Sequence, residues 1–394
     1  MLDEVTAYKK FLNKTYKKNS EVDSLKIFQT LPTTDKDNYL RKYTLNQLTY
    51  LDSFSNRSWK IATTSGSTGE PFYFPRTKKQ DEQYALLAEL YLRTNFKIDQ
   101  RNTLYINAFP MGAWIGGVFT HDTINLVAER GSYALSLISP GIHKQEVIKA
   151  VRRFGDQFDQ ILIGSYGPFL KDILDDGIAE GLDWSKYNMG FIFSAEGFTE
   201  GFRDYVIEKA GIKNPYTGTL NHYGTVDLGT MSYETPICVL LRKLALKNKK
   251  LYKSLFGDTI KLPTLTQYIP ELFFFEANNE QLLCSADSGL PLIRYDLKDN
   301  GNTHLFSNVE SFCKDAGINL SDEISKAGIK ETIWKLPFVH VYERRDFSVS
   351  FYAFQIYPET IRRALQAREL EDLVTGKFTM LVNFDASQNQ YLEI

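Results

Sequence analysis

Residues Thr63 to Gly69 read T-T-S-G-S-T-G, with Pro71 two places further on. Successive backbone N–H groups and hydroxyls in such a loop can surround an anion, and the glycines let the backbone approach it closely. Thr64, Ser65, Gly66, Ser67, Thr68 and Gly69 are therefore candidates for holding phosphate. No lysine accompanies them. The spacing is too short for G-x-x-x-x-G-K-[ST], Glu70 stands where that lysine belongs, and G-x-G-x-x-G is absent. A bare Ser/Gly cluster also reads as a polar β-turn, so its meaning depends on company elsewhere in the chain.

That company exists in sequence order. "LPTTDK" (31–36), "FSAEG" (193–197), "NHYGTVD" (221–227), "PLIRYDLKDNG" (291–301) and "ERRDFSVSFYAFQIYPETI" (343–361) each carry potential ligands for a nucleotide. Together with the loop and its proline they resemble the acyl-adenylating, AMP-forming superfamily, with the nearest likeness to the phenylacetate–CoA ligase branch. The loop resembles TSG[ST]TG-x-P, and residues 31–36 resemble LP-x-T-x-K. The FSAEG stretch is similar to the strand-end GGE or GAE segment, where the adenine packs; it offers Ala195 and Glu196. Tyr223, Gly224 and Thr225 fall on YG-x-[ST]-E, with Asp227 at the acidic position, one methylene shorter than the usual glutamate. Arg294, Tyr295 and Asp299 fall on P-x-I-R-Y-R-T-G-D, and Arg344 and Asp346 on the hinge motif, followed by Ile356, Pro358 and Ile361.

The resemblance implies attack of a carboxylate on the α-phosphate of ATP, giving an acyl-adenylate and pyrophosphate, then a thioester with CoA or a carrier protein. In that scheme the hydroxyl-glycine loop grips the β- and γ-phosphates, Asp227 sits by Mg²⁺, Asp299 accepts from the ribose hydroxyls, and Arg344 adds a ribose or phosphate contact. Asp346 is the pivot of a small C-terminal domain. Such chemistry needs positioning and charge stabilisation more than a side-chain nucleophile. Phe109, Met111, Trp114, Ile115 and Gly116 are candidates for an acyl pocket suited to an aryl or a fatty acid; the same residues also read as a buried helix start.

Two departures from the pattern are visible. The hinge has Ala353 or Phe354 where relatives have glycine beside the pantetheine path. The relatives' mobile lysine lies near the end of a domain of about 100 residues, and Lys377 comes too early to match it. Truncation and natural absence both fit, and slow adenylation is the expectation. Two other readings stay open: an acyl-protein synthetase that uses a cysteine acceptor, with Cys284 and Cys313 as candidates, and a degenerate nucleotide-binding module. Asp227 and Asp299 also suit turns, Arg344 and Asp346 a surface ion pair, and His222 a structural histidine.

The elements that must position these residues alternate. Strands "NTLYINAF", "SYALSLIS", "FDQILIGS" and "MGFIFSAE" are separated by amphipathic helical stretches, which implies parallel βαβ units. Before them, Tyr84, Leu87, Leu90 and Tyr91 share one helical face. From about residue 268 the text turns β-rich, then a helix beginning at Pro358 precedes a terminal hairpin whose second strand has barely begun. The expected fold is α/β: a large N-terminal domain (1–342) of βαβ-type layered sheets with a β-rich subdomain, followed by a small, apparently incomplete α+β C-terminal domain (343–394). A net charge of -2 excludes a general attraction to nucleic acid. Three widely spaced cysteines suggest neither a disulfide framework nor a zinc site. The charged opening and the lack of any 18-residue apolar run indicate a cytoplasmic protein without a membrane span; a homodimer stays open.

Overall fold

The computed structural model describes residues 4–16, 22, 24–64, 71–113, 115–259, 261–344, 348–358, 361, 364 and 378–394. A short hairpin, β1 (Lys60–Thr63) with β2 (Tyr73–Arg76), flanks the hydroxyl-glycine loop. Of that loop, residues 65–70 lie outside the described residues.

Five parallel strands follow, β3 (Thr103–Asn107), β4 (Leu135–Ile138), β5 (Gln160–Ser165), β6 (Met189–Phe193) and β7 (Thr219–Thr225), in the spatial order β4-β3-β5-β6-β7. β3, β5 and β6 are buried along their whole length. Their near-continuous apolar runs are what a strand covered on both faces requires. The cover comes from crossover helices. Lys144–Phe154 turns Val147, Ile148 and Val151 inward. Glu200–Ala210 starts at Thr199, whose hydroxyl accepts from the Phe202 amide, and stops at Gly211 with φ 65°. On the other face lies the helix Lys78–Phe96, with Tyr84, Leu87 and Tyr91 fully in the core and Leu90 half-buried at its margin.

At β7 the sheet changes direction without a break. β8 (Gly229–Tyr233), β9 (Thr264–Gln267), β10 (Phe273–Asn278), β11 (Gln281–Ala286), β12 (Leu292–His304) and β13 (Phe338–Arg344) add antiparallel partners. Among the described residues this gives one 11-stranded sheet, β10-β11-β12-β13-β9-β8-β7-β6-β5-β3-β4. After it come two hairpins, β14 (Val349–Phe351) with β15 (Phe354–Ile356), and β16 (Leu381–Phe384) with β17 (Gln390–Glu393).

The α/β expectation holds, and three local readings change. "KDNG", which alone reads as a turn, lies inside the 13-residue β12, where Lys298 (φ 62°) and a register shift at Asn300/Gly301 kink the strand without ending it. The helix expected from "FTHD" already begins at Ile115. The terminal hairpin pairs through four residues on each side, so its second strand is as long as its first. Of the helix expected from Pro358, only Pro358, Ile361 and Ala364 fall among the described residues, and each is helical.

Candidate active site

Two strands bring the predicted residues together by a reciprocal stitch. Tyr223 is on β7 and Asp227 in the turn after it; Tyr295 and Asp299 are four residues apart on β12. The Tyr223 hydroxyl donates to Asp299 Oδ2 at 2.7 Å, and the Tyr295 hydroxyl donates to Asp227 Oδ2 at 2.5 Å. Each tyrosine thus holds the aspartate of the other strand, across separations of 76 and 68 positions. All four side chains are buried. Hydrogen bonds to a charged partner in such surroundings contribute about 1.5–3 kcal/mol each. Burial, with the Asp227 charge added, pushes the Tyr295 hydroxyl well above its ordinary pKa and keeps it a donor.

The turn itself has a sequence cause. Thr225 Oγ1 accepts from the Leu228 amide and closes it. Gly224 sits at a register shift, where an added Cβ would stand 2.6 Å from the Gly229 carbonyl oxygen and 3.0 Å from Thr230 Cα. Only glycine fits that approach.

Lys36 is the site residue that motif reasoning left without a role. Its Nζ lies 3.3 Å from Asp227 Oδ1 and 5.7 Å from the centre of the Phe74 ring. The segment that carries it is tied to β12 by backbone bonds, Thr34 N–H to the Arg294 carbonyl and Asp296 N–H to the Thr34 carbonyl. Arg294, buried and at φ 48°, donates to Glu276 at 3.2 Å and to the Leu31 carbonyl. Beside it, Lys298 reaches Asp35 at 2.6 Å. Burial pushes the Asp35 carboxyl up, but the Asn38 and Asp37 amides and Lys298 outweigh it, and the group stays below its ordinary range. The available signal was the final lysine of the LP-x-T-x-K resemblance.

In the strand-end segment Ala195 stands at φ 77°, a conformation that glycine adopts without cost. The Glu196 carbonyl accepts from Asn221 Nδ2 at 3.0 Å, which ties this loop to β7. Its carboxylate accepts from the Ala353 amide and from Gln390 Nε2. Burial raises that carboxyl above its ordinary range, against the pull of both donors. Glu234, which had no assigned role, is structural: it accepts from the buried Arg203 at 2.7 Å and Arg242 at 3.2 Å.

Ala195, Glu196, Tyr223, Gly224, Thr225 and Asp299 line one cleft of about 1980 Å³, whose opposite wall includes Leu381, Val382 and Phe384 of the terminal hairpin. Asp227, Tyr295 and Lys36 are not among the residues that line it. Asp299 pairs in register with Arg344 across β12 and β13. The Arg344 side chain and Asp346 lie outside the described residues. Thr64 is described: it brackets the loop neck, with Thr64 N–H to the Phe72 carbonyl and Phe72 N–H to Thr64 Oγ1.

Of the acyl-pocket candidates, Phe109, Met111, Ile115 and Gly116 do not line this cleft. Phe109 is buried under the sheet, within reach of Gly116 and Gly164, Met111 is 43% exposed, and Ile115 is half-buried in the first turn of its helix. Trp114 lies outside the described residues. Ala113 accepts from the Thr63 amide at 3.1 Å, which links this segment to the strand that leads into the hydroxyl-glycine loop.

His222 packs under Tyr84 and Tyr91, and burial holds it down at about 3, so it is a neutral core residue. All three cysteines are buried, with thiols pushed up to about 12 for Cys238, to about 11 for Cys313 and well above the usual value for Cys284. Thiols so placed are poor nucleophiles. Among the described residues no cluster of three or more His, Cys, Asp or Glu could hold a metal. No helix among those residues is long and apolar enough to cross a membrane.

No protein-family model matches the chain, and no curated protein sequence does. Solved structures do. The chain is similar to 2-hydroxyisobutyryl-CoA ligase in complex with 2-HIB-AMP and CoA in the thioesterification state, at 14% identity and TM-score 0.65, over 99% of this chain and 74% of that one. An open conformation of that ligase matches at 13% identity and TM-score 0.60, over 92% and 76%. Its postadenylation state, with R3-HIB-AMP, matches at 13% and 0.59, over 99% and 74%. Over nearly its whole length the chain has the fold of 2-hydroxyisobutyryl-CoA ligase.

Proposed function

We propose that the chain activates a carboxylic acid with Mg·ATP and passes the acyl group to a thiol, as its resemblance to the phenylacetate–CoA ligase branch implies. A carboxylate oxygen bonds to the α-phosphorus, the bridge to the β-phosphate breaks, and its electrons leave with pyrophosphate. A thiol of CoA or a carrier then attacks the acyl carbon and AMP departs. The acid is aryl or fatty.

The reading rests on the reciprocal Tyr–Asp stitch. Asp299, oriented by Tyr223, is a rigid acceptor for ribose hydroxyls. Asp227, oriented by Tyr295, would stand by an ion on the phosphates, and Lys36 beside it would supply positive charge where the phosphate loop has no lysine. Such pre-set charge is worth more to the transition state than groups that must reorganise. Residues 65–69 would cradle the β- and γ-phosphates. Residues 343–394 would form the moving unit, pivoting at Asp346 with Arg344 against the nucleotide.

ATP–pyrophosphate exchange across a panel of aryl and fatty acids tests this. Acid-dependent exchange is expected, reduced about a hundredfold by Asp299→Asn and at least tenfold by Lys36→Met, in line with the loss of a charge-stabilising contact. Mg·ATP binding with no exchange for any acid would reassign the chain as a nucleotide-binding module. Absence of both would remove the nucleotide site altogether.

A further inference from the structure

The β14–β15 hairpin turns through only Tyr352 and Ala353, because Phe351 pairs with Phe354. Both turn residues have positive φ, 48° and 64°. Two-residue turns of this kind normally take Asn-Gly, and each side chain with a Cβ there costs about 1–2 kcal/mol. Something must hold them. Tyr352 N–H donates to Gln390 Oε1 at 2.8 Å, Gln390 Nε2 donates to Glu196 Oε2 at 2.8 Å, and Ala353 N–H donates to Glu196 Oε1. Strained backbone of this sort persists only where its surroundings over-determine it.

We propose that Glu196 is a positioning residue that locks the β14–β15 turn and the β16–β17 strand pair to the strand-end loop. Its two carboxylate oxygens are the acceptors that close a chain of three donors. The terminal pair also rests on Phe202 through Phe384, on Lys171 through Asn389, and on Lys261 through the Val382 carbonyl. Those contacts set where it lies, and the Glu196 chain joins all three segments. For that chain to hold, every donor must meet an acceptor. A glutamine at 196 supplies one oxygen and one NH₂ group, which then faces either the Ala353 amide or the Gln390 NH₂. Turning Gln390 over only moves the donor–donor contact onto the Tyr352 amide. A glutamate at 390 alone sets carboxylate against carboxylate. With Glu196→Gln and Gln390→Glu together, the pattern closes again: Tyr352 N–H and the new amide both donate to residue 390, and Ala353 N–H donates to residue 196.

The lock itself does not depend on any nucleotide chemistry; only its purpose, to release before the C-terminal unit can turn, rests on the function proposed above. Its test therefore needs no ligand. Amide hydrogen exchange of the whole chain is followed at Tyr352 and Ala353, with β3, β5 and β6 as the measure of intact folding. Protection should fall roughly tenfold in E196Q and in Q390E, the effect of one lost charge-assisted bond, and should return to within about threefold of the starting protein in the E196Q/Q390E double variant. Unchanged exchange at the turn in E196Q would overturn the lock. So would a double variant that stays as unprotected as the singles while the core strands remain protected.

Discussion

Tyr295→Phe removes one hydroxyl and leaves the ring, so no cavity opens and the change isolates a single bond. That bond is 2.5 Å long and joins two buried groups. Its loss leaves Asp227 Oδ2 without its tyrosine donor, while Oδ1 keeps Lys36 at 3.3 Å. Net values for hydrogen bonds to charged groups run about 1.5–3 kcal/mol, so a loss of about 2 kcal/mol is expected, close to thirtyfold in an equilibrium. Part should appear as stability, read from the midpoint of urea unfolding with an unchanged slope. The rest should appear as weaker Mg·ATP binding by calorimetry, because Asp227 must then be ordered by the ligand itself. The tyrosine hydroxyl is pushed well above its ordinary pKa, so both effects should be flat from pH 7 to pH 9. A variant within 0.5 kcal/mol of the starting protein in both assays, less than the roughly 0.5–1.5 kcal/mol of an ordinary hydrogen bond, would refute the claim that the stitch orders the site.

Gly224→Ala sets a methyl against the Gly229 carbonyl and Thr230 Cα, both backbone, and should cost about 1–3 kcal/mol in unfolding free energy; a midpoint equal to that of the starting protein would show that the turn can give way. His222 and His340 are both held near 3 by burial. Because the folded values lie below the unfolded ones, the unfolded chain takes up these protons first. The stability they contribute is complete above about pH 6.5 and is lost as pH falls toward about 3, at about 1.4 kcal/mol per pH unit for each. His222→Gln should therefore flatten urea midpoints between pH 6 and pH 4 by about one histidine's share, and an unchanged slope would place the acid sensitivity elsewhere.

What could be read before the structure follows a physical boundary. β5 and β6 were legible because strands buried on both faces have no polar positions to disguise them. Tyr223, Gly224 and Asp227 were marked by resemblance to a family motif, and the tight turn there gives its glycine a physical reason. The pairing of Tyr223 with Asp299, or of Lys36 with Asp227, was not legible. Such contacts depend on strand order, and β13, which begins at Phe338, enters the sheet between β9 and β12, although β12 begins as early as Leu292. Ala353 shows the converse. The resemblance put glycine at Ala353 or Phe354, and of the two it is Ala353 that has a positive φ, 64°. The part Glu196 plays was invisible because its partners, Ala353 and Gln390, lie 157 and 194 positions away.

The place of β13 has an engineering consequence. It is hydrogen-bonded on both flanks, to β12 and β9, and the two terminal hairpins follow it in the chain. A graft joined just past Arg344 would exchange the terminal hairpins of one protein for another's and leave the ladder whole. A join before Phe338 would instead cut that ladder into two exposed edges, each ready to pair with a foreign strand. The seam for building hybrids of this molecule is therefore marked by hydrogen bonds, within a few residues.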